Sequence, residues 1–248
     1  MNTIASLHEQ FSRRTDTVPA LVERQCVAVS DPRGEGSRVF LSLDHATVRA
    51  AATAAQVQFD CEMAKPLEGV TIVIKDLFDV EDEVTAAGSV VLRSRPAAVA
   101  DCEAVARLRA AGAIPFGRSN MVEFAYSGVG VNPHYGTPRN VWGRATDGGG
   151  RVPGGSTSGG GIAVADGMAV AALGSDTGGS VRIPAALNGI VGFKPTAARV
   201  PVTGTVPLSF SLDSVGPLAN SVDCCARIDA VLASDSTPPV KASLHGKR

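Results

Sequence analysis

The clearest pattern in the chain is GVTIVIKD at 69–76, a continuous β-branched run that ends on a lysine. Such a run predicts a strand buried on both faces and finishing at Lys75. Upstream, Asp44 reads as the N-cap of an alanine-rich helix over about 45–64. Downstream, Asp101 reads as the cap of a helix through about Ala111, stopped by Gly112, with Ala113–Phe116 following as a short strand. Residues 127–157 read as loop, with turns at Asn132-Pro133, Thr137-Pro138 and Pro153-Gly154. A helix near 159–168 and a strand near 169–175 follow, and Ser221 opens an amphipathic helix to about Ala233. Alternation of helices with apolar strands predicts an α/β layered fold. Residues 1–43 predict only a helical or irregular segment, and 234–248 a loose tail.

Composition narrows the function. The 248 residues carry 23 basic and 24 acidic side chains, so no basic field is available for nucleic acid or an anionic membrane. No apolar stretch reaches the ~18 residues of a spanning helix, and the first residues lack the apolar core of a secretory signal. The five cysteines (Cys26, Cys61, Cys102, Cys224, Cys225) form no C-x-x-C, and the four histidines (His8, His45, His134, His245) show no ligand spacing. These features predict reduced thiols in a cytoplasmic protein without a metal site, and with neither G-x-x-x-x-G-K-[ST] nor G-x-G-x-x-G present no organic cofactor is expected.

Glycine marks the chemically interesting region: 15 of the 50 residues from Gly143 to Gly192 are glycine, interleaved with apolar segments. That spacing predicts packed backbone turns rather than a linker. Two serines stand in it, Ser156 in PGGSTSGG and Ser180 in GSDTGGSVR. A helix out (~17 Å) and a strand back (~17 Å) fit between them, so both can lie at one end of a sheet. Glycines before Ser180 let the backbone N–H groups of Thr177, Gly178, Gly179 and Ser180 converge as an oxyanion hole. Neither G-x-S-x-G nor a neighbouring histidine supplies a base. Lys75 is the alternative, but an ordinary lysine is neutral only about once in 2,500 molecules at pH 7, so this one must be buried. Each residue also has a plainer reading: a turn hydroxyl for Ser180, a helix cap for Ser156, a solvated strand end for Lys75. Asp176 could orient the glycine loop or merely close an Asx turn. Arg182 reads as the partner of a carboxylate or carbonyls. His134 and Tyr135 could border a substrate channel or pack a turn.

GVTIVIKDLFDV, PGGSTSGG and GSDTGGSVRIPAALNGIVGFKPT, in this order and spacing, resemble the amidase signature family over residues 44–233. The resemblance implies a mixed, twisted central sheet flanked by helices. It further implies a Ser–cis-Ser–Lys triad, with Ser180 as acyl-forming nucleophile, Ser156 as bridging serine after a cis peptide bond, and Lys75 as base. The expected substrate is a small-molecule carboxylic amide, cleaved to acid and amine. Thr157 and Ser158 stand where the family often has Ser and Gly. Family members continue for a further couple of hundred residues, so the resemblance implies that the C-terminal half of the domain is lacking here. Three functions follow as expectations: an amidase, the glutamine-hydrolysing component of a tRNA-dependent amidotransferase, or a non-catalytic fragment or interaction module. A second copy or a complementing C-terminal fragment is the corresponding partner.

Overall fold

The apolar run at 70–75 forms the strand it predicts. In the computed structural model, which describes residues 3–144, 150–237 and 245–246, Thr71–Lys75 (β2) is buried at every position. It lies inside a six-stranded sheet ordered β1-β3-β2-β4-β6-β5, where β1 is Phe40–Ser42, β3 Ile114–Ser119, β4 Ala171–Asp176, β5 Val191–Gly192 and β6 Ser214–Ala219. Strand β2 runs parallel to β3 and β4, while β1, β6 and β5 each pair antiparallel. The sheet is therefore mixed, as the resemblance implies.

Helices cover it. Helix α4 (His45–Asp60) starts where Asp44 accepts the Ala46 and Thr47 N–H groups at 2.9 and 3.2 Å. It stops before 64 because Glu62 turns left-handed and Met63 N–H closes back on the Gln58 carbonyl at 2.8 Å. Helix α5 (Glu103–Ala110) begins one residue later than predicted. Asp101 is not its cap: that carboxylate accepts the Glu81 N–H at 2.9 Å and pairs with Arg109, while Cys102 occupies the N-cap without a side-chain bond. Helix α6 (Ser158–Ala165) packs across the central strands and ends at Asp166, ahead of the left-handed Gly167. Its Gly159 admits no side chain, since a Cβ there would come within 2.7 Å of the Asn120 and Val39 carbonyl oxygens. Helix α7 (Arg182–Asn188) follows the glycine loop, and α8 (Val222–Leu232) is capped by Ser221 as predicted.

Residues 3–42 are more ordered than their pattern shows. They hold α1 (Ile4–Ser12), α2 (Val18–Ser30), α3 (Gly36–Val39) and the edge strand β1. Ile4, Leu7, Phe11, Val18 and Val22 join the same buried core as the sheet. Phe11 meets Phe59 of α4 edge-on at 5.3 Å. Residues 127–144 and 150–157 contain neither helix nor strand. The remainder of that predicted loop, 145–149, and most of the predicted tail, 238–244 with 247 and 248, lie outside the described residues. No helix among the described residues is long and apolar enough to cross a membrane.

Candidate active site

Because β2 and β4 are parallel neighbours, their C-terminal ends finish together, and the chemistry-bearing residues collect there. Lys75 ends β2 with no exposed surface. Its Nζ bonds Ser156 Oγ at 2.8 Å, Ser175 Oγ at 2.8 Å and the Ser175 carbonyl at 3.4 Å. Burial drives its pKa down from 10.5 to about 7, although the carboxylates of Asp176 and Asp213 pull the other way.

Ser156 follows a cis peptide bond from Gly155 and precedes α6. Its carbonyl accepts the Val122 N–H at 3.0 Å, and Gly154 and Gly155 donate to the carbonyls of Val129 and Gly128 at 3.1 and 2.8 Å. This segment thus lies flat against loop 122–130. A Cβ on Gly155 would sit 2.8 Å from both Gly130 N and the Ser127 carbonyl oxygen, so glycine is required for the approach. Ser156 and Ser180 lie on adjoining backbone, because Thr157 N–H donates to the Ser180 carbonyl at 3.2 Å. All three candidates, Lys75, Ser156 and Ser180, are buried at the same end of the sheet.

The loop from Thr177 to Ser180 is organised by Asp176, the last residue of β4. One carboxylate oxygen accepts Gly179 N–H at 2.8 Å and Arg182 Nη2 at 2.9 Å; the other accepts Val181 N–H at 3.1 Å and Arg182 Nε at 3.0 Å. Burial raises the pKa of Asp176, but these donors outweigh it and hold the group below the usual carboxylate range. Both readings of Asp176, local turn and loop-orienting anchor, are therefore realised together, and Arg182 is its ion partner. One expectation changes. Gly179 N–H is spent on Asp176, whereas the N–H groups of Thr177, Gly178 and Ser180 have no acceptor among the described residues.

A family model described as Amidase matches residues 35–244. The chain belongs to the amidase signature family. It is 45% identical over 179 residues to AtzE, a component of the 1-carboxybiuret hydrolase of Pseudomonas sp. (strain ADP), covering 72% of this chain and 38% of that protein. It is 41% identical to the A component of the glutamyl-tRNA(Gln) amidotransferase of Roseiflexus castenholzii, covering 93% of this chain and 46% of the relative. Among solved structures it resembles the peptide amidase of Stenotrophomonas maltophilia, with a TM-score of 0.83 and 30% identity over 97% of this chain and 51% of that one. The chain thus spans about half the length of the amidases it matches, or less.

Two polar residues of this amidase fold escaped the sequence reading. Ser175 touches the lysine across 100 residues of chain, a contact set by the β2–β4 register and invisible to any local pattern. Asp213 accepts the hydroxyl of Thr177. The histidine flagged in the long loop is engaged elsewhere: His134 Nε2 lies 3.1 Å from Glu123 Oε1, and Tyr135 takes a hydrogen bond from Arg93 at 2.8 Å. Among the described residues no group of His, Cys, Asp and Glu is arranged to hold a metal ion. Four of the cysteines are buried and Cys61 is exposed, with burial pushing Cys102 up to about 11 and Cys225 to about 12.

Proposed function

We propose that this chain carries the catalytic centre of an amide hydrolase, with Ser180 as nucleophile, Ser156 as proton relay and Lys75 as base. The supporting observation is the buried amine of Lys75, bonded to Ser156 and shifted to about 7. Its surroundings suit both protonation states. As an ammonium it donates three bonds, to Ser156 Oγ, Ser175 Oγ and the Ser175 carbonyl. As a neutral amine it keeps two donors for Ser175 and offers its lone pair to the Ser156 hydroxyl proton. Ser156 then draws the proton from Ser180 as the Ser180 oxygen attacks the amide carbon. The free N–H groups of Thr177, Gly178 and Ser180 stabilise the resulting oxyanion. Collapse expels the amine with the proton returned through Ser156, leaving an acyl ester on Ser180. Water, deprotonated by the same relay, releases the acid and restores the serine. No metal or organic cofactor enters this scheme, and the setting is cytoplasmic.

The substrate is a small carboxylic amide. Glutamine as the amide donor is the variant favoured by the likeness to the glutamyl-tRNA(Gln) amidotransferase component. The test is labelling with a serine-directed fluorophosphonate: the wild type becomes labelled and Ser180→Ala does not. Absence of labelling in a protein that melts cooperatively would favour a non-catalytic module instead.

A further inference from the structure

The Asp176 anchor accounts for only the far half of the oxyanion loop. Its carboxylate holds Gly179, Val181 and Arg182, and makes no bond to Thr177 or Gly178, whose N–H groups have no acceptor among the described residues. Gly178 is exposed, and a Cβ there would meet nothing within 4 Å, so its own packing does not fix it. Among the described residues the near half is held by one side-chain bond, from the Thr177 hydroxyl to Asp213.

We propose that Asp213 is a positioning residue of the site, tethering the near half of the oxyanion loop through the side chain of Thr177. Asp213 is well placed for this. It precedes β6, whose Ser214 registers against Asp176, so it faces the loop from the neighbouring strand. Its other carboxylate oxygen accepts the Leu208 and Ser209 N–H groups at 2.9 and 3.1 Å, which anchors the tether to turn 208–213. The loop is therefore gripped from two sides by two aspartates that share no partner. Asp213 also acts on Lys75 through its charge, favouring the ammonium, as Asp176 does. The neighbouring carboxylates Asp76 and Asp176 are each paired with an arginine, Arg118 and Arg182.

This inference rests on the proposed Ser180 chemistry, and its test keeps the two apart. Three variants are compared: Thr177→Val, Thr177→Ser and Asp213→Asn. Three quantities are measured: the fluorophosphonate labelling rate, amide hydrogen exchange in the peptide 175–182, and the titration midpoint of Lys75 by NMR of labelled lysine. Lys75 is one of five lysines, and its signal is assigned by its loss in Lys75→Met. Thr177→Val should speed exchange in that peptide, slow labelling roughly tenfold and leave the lysine midpoint in place. Thr177→Ser, which keeps the hydroxyl, should restore wild-type values. Asp213→Asn should loosen the loop and also lower the lysine midpoint by roughly half a unit. Exchange and labelling unchanged in Thr177→Val would overturn the tether. A wild type that takes no label would instead overturn the proposed function, with hydrogen exchange still deciding whether Asp213 holds the loop.

Discussion

Lys75 makes the most demanding prediction, because the proposed role as base requires an amine that changes charge near neutrality. An unshifted lysine at 10.5 would be neutral in about three molecules in ten thousand at pH 7; one at about 7 is neutral in about half. The difference is a factor of roughly 10³ in neutral amine, or about 4 kcal/mol, and burial supplies it. If the neutral amine drives acylation of Ser180, the fluorophosphonate labelling rate should rise tenfold per pH unit below pH 6. It should bend at about 7 and be flat above 8. Lys75→Arg, which keeps the charge but cannot lose it in this range, should show no such limb and label at least a hundredfold more slowly at pH 8. The assay is a series of second-order labelling rate constants from pH 5.5 to 9.5, with circular dichroism confirming that the fold persists. A midpoint above 9, a pH-independent rate, or an intact limb in the Arg variant would refute the reasoning.

The same shift bears on stability. The folded amine titrates at about 7 and the unfolded one near 10.5, so between these values the unfolded chain holds the extra proton and stability climbs as pH rises. Lys75→Met removes that slope. Allowing about 1–3 kcal/mol for the Ser156 and Ser175 hydroxyls left without the amine, it should be roughly 2 kcal/mol more stable than wild type at pH 7 in urea melts, with the advantage reversed by pH 10.5. Asp176→Asn keeps the shape but removes a charge and one strong acceptor from the Arg182 fork and the backbone donors. It should cost roughly 2–4 kcal/mol by chemical denaturation and move the Lys75 limb below 7, since Asp176 favours the ammonium. Gly155→Ala forces a methyl to within 2.8 Å of Gly130 N and the Ser127 carbonyl oxygen, and should cost roughly 1–3 kcal/mol, read as a lowered melting temperature.

What the sequence displays is what short-range physics controls. The strand ending at Lys75 is legible because a buried strand has to be apolar along its whole length. The caps at Asp44 and Ser221 are legible because they bond N–H groups two or three residues on. Where a side chain finds a distant partner, local pattern misleads. Asp101 reads as a cap but serves Glu81 and Arg109. The helices of residues 3–42 have local caps at Thr3 and Thr17, but their apolar faces close on remote partners, such as Phe11 on Phe59, with Val18 N–H bonding Gln56 at 3.0 Å, and those partners cannot be read from the local pattern. The glycine loop announces that backbone turns are needed, yet which N–H remains free depends on where the Asp176 carboxylate settles.

That last point joins the electrostatics of the site to its geometry. A buried lysine beside a buried aspartate would ordinarily form an ion pair and stay charged. Here Asp176 is turned toward the loop, and Arg182 with three backbone N–H groups neutralises most of its charge. Nζ of Lys75 is left with hydroxyls and a carbonyl, which stabilise an ammonium far less than a carboxylate does. One arrangement therefore does two jobs: the donors that shape the loop at 177–180 are the same ones that withhold a counter-ion from the lysine. Loosening Asp176 from Arg182 should disturb the loop and recharge the amine together, whereas a site whose base and oxyanion loop were built independently would let the two effects be separated.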